Sequence, residues 1–265
     1  MTPFFFGPSE RRLFGVYDPA HDVEGATRGG AVICHPWGSE YIYAHRSLRQ
    51  LAMRLSRSGI ETLRFDYFGT GDSAGEMTDA DLAGWKGDIE AAIEELTDLT
   101  GTKAIALIGL RLGANLAASV AAKRRQVNPL ILWDPIVSGK TYLQECGIAK
   151  GDERSLAPLP VVRADNVGGG YELDGFPLTR GMAHEFENLD LTEDLADISA
   201  NTLVILSARM PWLASLQRGV KQMSRAHVEL ELLEDRSAWV ERPETIEAIP
   251  VKVISRIVDW ITQCE

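Results

Sequence analysis

The sequence predicts an α/β domain with a doubly wound, mostly parallel sheet, an N-terminal hairpin and a short lid insertion. Three observations carry that expectation. Short apolar runs alternate with stretches whose apolar residues recur at helical spacing, the pattern of a parallel sheet covered on both faces. Glycine-bearing turns sit where the apolar runs end. The length, 265 residues, suits one such domain over 1–265 and is short for two.

The elements follow in chain order. Phe4–Phe6 and Arg12–Tyr17, turned by Gly7-Pro8, read as a hairpin. Ala31–Cys34 is a short buried strand. Ala44–Ser58 carries Leu48, Leu51, Ala52 and Leu55 on one face and is a helix stopped by Gly59. Glu61–Asp66 is a strand that runs into Gly69-Thr70-Gly71-Asp72-Ser73-Ala74-Gly75. That loop lacks the Lys-Ser/Thr of a phosphate loop, and it reads as a structural turn that Asp66 and Asp72 fix through backbone amides. Asp79–Thr97 is a helix, Lys103–Ile108 a strand, Arg111–Lys123 an alanine-rich helix and Leu130–Asp134 a strand. From Ser138 to Ser199 the rhythm breaks, with Gly168-Gly169-Gly170, Pro158, Pro160 and Pro177. A long irregular stretch of this kind is expected to be a lid or binding loop, here about 138–199. The alternation resumes with strand Thr202–Ser207, helix Trp212–Met223, strand His227–Leu233 and closing helix Thr245–Thr262.

Composition narrows the classes of function. Hydrophobic residues at 45% and charged residues at 25% suffice for a large core. The formal charge of −11 repels phosphates and anionic lipid, so neither nucleic acid nor a membrane is an expected partner. No stretch reaches the ~20 apolar residues that span a bilayer, and Met1–Phe6 lacks the basic and long apolar parts of a leader. Cys34, Cys146 and Cys264 are odd in number and without CxxC spacing, which fits a reducing compartment and a cytoplasmic location. The histidines are scattered, so no metal site is expected, and no cofactor either.

Ligands of open parallel sheets sit beyond the carboxyl ends of the strands. At one of those ends, Gly109-Leu110-Arg111-Leu112-Gly113 joins an apolar run to the alanine-rich helix with the spacing of the G-x-S-x-G nucleophile elbow. Arg111 stands where that motif has its serine. An arginine is always protonated and is not a nucleophile. At a helix N-terminus the macrodipole disfavours its charge by ~0.3–1 kcal/mol, and a buried guanidinium needs an anion nearby. Asp134 at the next strand end is the first expected partner, Glu40 the second, and a ligand carboxylate or phosphate the third.

On these residues the chain resembles the α/β-hydrolase superfamily in its serine-aminopeptidase-like branch. Within that branch it is similar to the exosortase A system-associated hydrolases, some of which also carry arginine at the elbow. The resembling stretches are Cys34-His35-Pro36-Trp37-Gly38-Ser39-Glu40, Leu63-Arg64-Phe65-Asp66, Gly69–Gly75, Gly109–Ala114 and Trp133-Asp134-Pro135. The resemblance implies the α/β-hydrolase fold and an acyl substrate, an ester or thioester. It implies an oxyanion loop at Trp37 and Gly38, facing Leu112 across the elbow. It also implies where the acid and the histidine of a triad would follow. Those positions read Ala208-Arg209-Met210-Pro211-Trp212 and Asp235-Arg236-Ser237-Ala238-Trp239-Val240-Glu241, without a carboxylate in the first or a histidine in the second. A Ser-His-Asp mechanism is therefore not expected.

Two readings remain open. In the first, the protein is an enzyme acting on an ester, thioester or related acyl substrate without a serine intermediate. Arg111 and the Trp37 loop then stabilise substrate charge, and His35 is a surrogate base. In the second, it is an inactive pseudo-hydrolase that binds an anion, another ligand or a protein partner. Ser39 is the best-placed replacement nucleophile. Trp212 and Trp239 line an acyl or aromatic pocket or pack in the core. The expected partner is a small-molecule or carrier-bound acyl ligand, with a homodimer left open.

Overall fold

The computed structural model describes residues 1–21, 28–148, 162–164, 170–222, 227–240 and 249–263. In chain order the elements are β1 (Thr2–Phe6), β2 (Leu13–Asp18), β3 (Gly30–Cys34), α1 (Ser39–Arg57), β4 (Glu61–Phe65), α2 (Leu82–Thr100), β5 (Ile105–Leu110), α3 (Leu112–Lys123), β6 (Val127–Trp133) and α4 (Gly139–Glu145). They continue with β7 (Val162–Ala164), β8 (Tyr171–Leu173), β9 (Phe176–Leu178), α5 (Arg180–Glu187), α6 (Leu191–Asp197), β10 (Thr202–Leu206), α7 (Leu213–Gln222), β11 (Val228–Leu232) and α8 (Val251–Gln263).

Eight strands form one sheet in the order β1-β2-β4-β3-β5-β6-β10-β11. The β1–β2 hairpin joins antiparallel at one edge, and every pairing from β4 to β11 is parallel. The chain leaves β3 for β4 on one side and returns to β5 on the other. The order therefore reverses between β3 and β5, and the crevice beyond their carboxyl ends is where such sheets hold ligands. Side-chain alternation splits the core in two. Leu107, Leu132 and Val204 face α2 and α3 with Trp85, Ile89 and Ile93. Ile33, Ile108 and Ile131 face α1 and α8 with Leu48, Leu51 and Ile257. Burial on both faces is why these strands read as unbroken apolar runs.

The structure departs from the sequence expectation at several boundaries. α1 begins at Ser39 rather than Ala44, because Gly38 at φ +65° turns the chain directly into the helix. α2 begins at Leu82 rather than Asp79, capped by the Asp81 carboxylate, which accepts from the Gly84 amide at 2.6 Å. β5 runs on to Leu110, up to the elbow itself. The 138–199 segment is more regular than expected. It holds α4, the small antiparallel sheet β7-β8-β9, and α5 and α6. Asp174 and Gly175, both at positive φ, make the β8–β9 turn. Residues 241–248, where the closing helix was expected to start, lie outside the described residues, and α8 runs over Val251–Gln263. Among the described residues no helix is long and apolar enough to cross a membrane.

One contact fixes how closely α3 can approach β3. A Cβ on Gly113 would stand 2.2 Å from the Cys34 carbonyl oxygen and 2.5 Å from that of His35. Both are backbone atoms of a central strand and its loop, so neither can move aside cheaply. Gly113→Ala is expected to lower stability by about 3 kcal/mol, the upper part of the overpacking range, in urea denaturation; an unchanged midpoint would show that α3 is free to shift outward.

Candidate functional site

The turn between β5 and α3 is sharp because two glycines permit it. Besides the Gly113 approach, a Cβ on Gly109 would lie 2.4 Å from the Ala114 Cα. Between them Arg111 caps α3 at φ 54° and ψ −122°, a backbone conformation that costs an L residue about 1–3 kcal/mol. Its amide donates to the Trp133 carbonyl at 3.0 Å, tying the turn to β6. The side chain then projects into the crevice, and it is 4% exposed.

The crevice answers that charge from within the protein. Arg111 Nε donates to Glu40 Oε1 at 3.1 Å, from the first turn of α1. Nη1 donates to the backbone carbonyl of Asp134 at 3.4 Å. The guanidinium carbon lies 3.9 Å from the centre of the Trp239 ring and 5.4 Å from that of Tyr142. A desolvated cation on an aromatic face is stabilised by about 2 kcal/mol. Burial works against the Arg111 charge, but the carboxylates of Glu40 and Asp134 outweigh it and hold the guanidinium above its ordinary range. Burial also pushes the Glu40 carboxyl up, with Arg111 pulling it back. Glu40 Oε2 is buried and has no hydrogen-bond partner among the described residues.

This ordering corrects the expected one. Glu40, not Asp134, supplies the carboxylate that bonds Arg111. Asp134, fully buried and at φ 45°, turns its own carboxylate elsewhere. Oδ1 accepts from the Ser207 amide at 2.7 Å. Oδ2 accepts from the Ser207 hydroxyl and, at 3.0 Å, from Trp239 Nε1. Burial raises the Asp134 carboxyl, and these donors and Arg111 oppose the rise.

Asp134, Trp239 and Arg111 form one chain of contacts. In a triad a carboxylate accepts from a ring N–H, and that ring meets the elbow residue. Here Asp134 accepts from the indole N–H of Trp239, and the indole lies against Arg111. An indole nitrogen only donates, so this ring cannot take a proton as imidazole does. The sequence named all three residues, yet it did not place them in this relation. It missed Ser207 and Tyr142 altogether. Ser207 ends a plain apolar strand, and Tyr142 falls in the segment expected to be irregular, so neither carried a motif.

The other expected site residues take structural places. His35 is buried; Tyr67 N–H donates to Nε2 at 3.4 Å, and Nδ1–H donates to the Pro36 carbonyl at 2.6 Å. Both ring nitrogens are engaged and burial holds its pKa down to about 4, which corrects the surrogate-base expectation. The Trp37 side chain packs edge-on to Phe186 and donates to Met77 Sδ. Gly38 starts α1, and Leu112 is the buried first residue of α3. Ser39 Oγ donates to Asp174 Oδ2 at 2.8 Å, on the surface and away from nucleophilic work. Trp212 packs at the margin of the α2–α3 core, on the side opposite Trp239. Asp66 accepts from the Asp72 amide at 3.0 Å, so Asp66 supplies the carboxylate and Asp72 the backbone that fix the glycine loop. Among the described residues no group of three or more His, Cys, Asp or Glu side chains is arranged to hold a metal.

The serine aminopeptidase S33 family matches residues 27–173, more than half of the chain. The chain belongs to that family. Solved structures of α/β hydrolases share the fold across essentially its whole length. Proline iminopeptidase from Mycobacterium smegmatis superposes with a TM-score of 0.68 at 12% identity, covering 99% of this chain and 98% of that one. Alpha/beta hydrolase domain-containing protein 10 from mouse gives 0.62 at 18% identity, covering 100% of both chains. Est1E from Butyrivibrio proteoclasticus with ferulic acid bound gives 0.61 at 14% identity, covering 98% and 96%. No curated protein matches the sequence.

Two outcomes follow from the buried charges. Arg111→Met leaves Glu40 buried without its cation, and the loss of stability at pH 7 is expected to be about 3–5 kcal/mol. That loss should shrink at pH 5 as Glu40 takes up a proton, and the Arg111→Met/Glu40→Leu double variant should recover most of it; urea denaturation at both pH values checks this, and a double variant no better than the single would remove the pair from the account. His35, neutral when folded, has a pKa of about 4 against an ordinary 6.5. Its contribution is therefore complete above pH 6.5 and lost as pH falls towards 4, about 3 kcal/mol in all. His35→Gln should flatten that part of the stability profile, and a profile unchanged by the substitution would contradict the assignment.

Proposed function

We propose that this family member has exchanged acyl transfer for binding, as a pseudo-hydrolase whose elbow pocket holds an internal ion pair. The observation that carries this reading is the Arg111–Trp239–Asp134 stack. In this reading Arg111 and Trp239 stand for the nucleophile and the base, a guanidinium that does not attack a carbonyl and an indole that does not accept a proton, while Asp134 supplies a carboxylate from the end of β6. Glu40 answers the charge of Arg111, which argues against a ligand anion as its partner. Est1E from Butyrivibrio proteoclasticus holds ferulic acid, which suggests an aromatic acyl compound as the ligand class. The likeness to exosortase A system-associated hydrolases would put that ligand in acyl-carrier or glycan-acyl chemistry, an associational argument only.

A second reading is favoured by one feature. Glu40 is a buried carboxyl with a raised pKa and an unpartnered oxygen, the kind of group that serves as a general acid or base. One set of assays separates the two. A fluorophosphonate probe, p-nitrophenyl esters of short and long acids and acyl thioesters are offered to the wild type, Glu40→Gln and Arg111→Ser. The pseudo-hydrolase reading expects no labelling and no turnover above buffer for all three, because a serine hydroxyl at position 111 would face an indole with no proton acceptor. Wild-type turnover that vanishes in Glu40→Gln would replace the first reading by the second. Robust hydrolysis by Arg111→Ser would overturn the pseudo-hydrolase reading, with Glu40, freed of its cation, as the base to test next in Arg111→Ser/Glu40→Gln.

A further inference from the structure

A cavity of about 340 Å³ lies away from the elbow, between α1 and the margin of the sheet formed by β2, β4 and β3. Its walls are apolar, from Phe14, Val16, Ile33, Leu48 and Phe65. Its polar groups are Arg64 from β4, Tyr41 and His45 from α1, His35 just after β3, Asp66 just after β4 and Asp72 from the glycine-rich loop. Small-molecule sites have this composition and this order of volume: an apolar body with a few placed polar groups.

Arg64 shows that the cavity is incomplete as it stands. Its Nε is buried and has no hydrogen-bond partner among the described residues. Nη2 reaches Asp18 at a long 3.4 Å. A buried guanidinium N–H without an acceptor is destabilising, and such groups in folded proteins call for an explanation. Asp66 lines the same cavity and is held in place, accepting from the Tyr41 hydroxyl at 2.5 Å and the Asp72 amide at 3.0 Å. Asp66 and Asp72 line the cavity and Asp18 already pairs with Arg64, so the carboxylates outnumber the guanidinium and disfavour an incoming anion. An incoming ammonium would meet Arg64. A hydroxyl suits both sides, since it can accept from Arg64 Nε–H while it donates to a carboxylate.

From the unsatisfied Nε of Arg64 in a cavity with apolar walls and a surplus of carboxylates, we infer a binding site for a small uncharged alcohol with an aromatic or branched aliphatic body. The site uses the glycine-rich loop, which the elbow does not. It is also independent of whether the elbow is catalytic.

The test uses the full chain with methyl-labelled Val, Ile and Leu, followed by NMR, and three probes of one shape: benzyl alcohol, benzoate and benzylamine. Benzyl alcohol is expected to shift the Val16, Ile33 and Leu48 methyls saturably, with benzoate and benzylamine at least tenfold weaker. Arg64→Met should weaken the alcohol about fivefold, the loss of one hydrogen bond. Val16→Phe fills the cavity and keeps Arg64, so it should abolish the shifts and guards against a folding defect in the first variant. The inference is overturned if those methyls do not respond, if a charged probe binds as well as the alcohol, or if either substitution leaves binding unchanged.

Discussion

The approach of α3 to β3 governs everything around the site. With Gly113 set against two backbone oxygens and Gly109 against Ala114, the residue between them has one conformation available, at positive φ. Whatever side chain stands there is driven into the crevice at the reversal of strand order. In this chain it is a guanidinium, and the neighbours follow from that choice. Glu40 turns inward from an otherwise exposed helix start, the Asp134 carbonyl faces the crevice, and two aromatic rings cover the cation. Removing a cation from water at the positive end of α3 is tolerable only with such a set of partners.

An ion pair of this kind adds little net stability, because desolvation of both groups offsets their attraction. Its effect is on arrangement. Glu40 ties the first turn of α1 to the elbow, and Ser39 beside it ties the same turn to the β8–β9 hairpin. Trp239 ties the loop after β11 to the end of β6 through Asp134. The Arg111 side chain itself meets α1, the end of β6, α4 and the loop after β11, four segments distant in sequence. The loop itself is held further along, where Asp235 accepts from the Lys252 and Val253 amides at the start of α8.

The sheet and the tight turn at Gly109–Gly113 were legible in the sequence because both depend on local rules. Strands buried on both faces leave unbroken apolar runs, and a close approach leaves glycines at fixed spacing. The first turn of α1 left no such mark, since Glu40 and Tyr41 are turned to Arg111 and Asp66 instead of to an apolar core. The choice between Glu40 and Asp134 was hidden for a different reason. It rests on the positive φ of Asp134, which swings that carboxylate to Ser207 and Trp239. The 138–199 segment was only half legible. Its glycines and prolines suggested irregularity, but Asp174-Gly175 is a hairpin turn signal, and Thr179 and Asp190 cap the two helices that follow.

The electrostatics of the crevice bear on any carbonyl substrate that reached it. Acyl transfer draws negative charge onto the carbonyl oxygen as the tetrahedral species forms, and hydrolases lower that barrier with donors left free to receive it. Here a single guanidinium already serves the Glu40 carboxylate and the Asp134 backbone, with the Asp134 carboxylate close behind. A developing oxyanion would have to compete with those oxygens for the same cation. The Arg111 side chain thus commits, within the folded ground state, the positive charge on which transition-state stabilisation would draw.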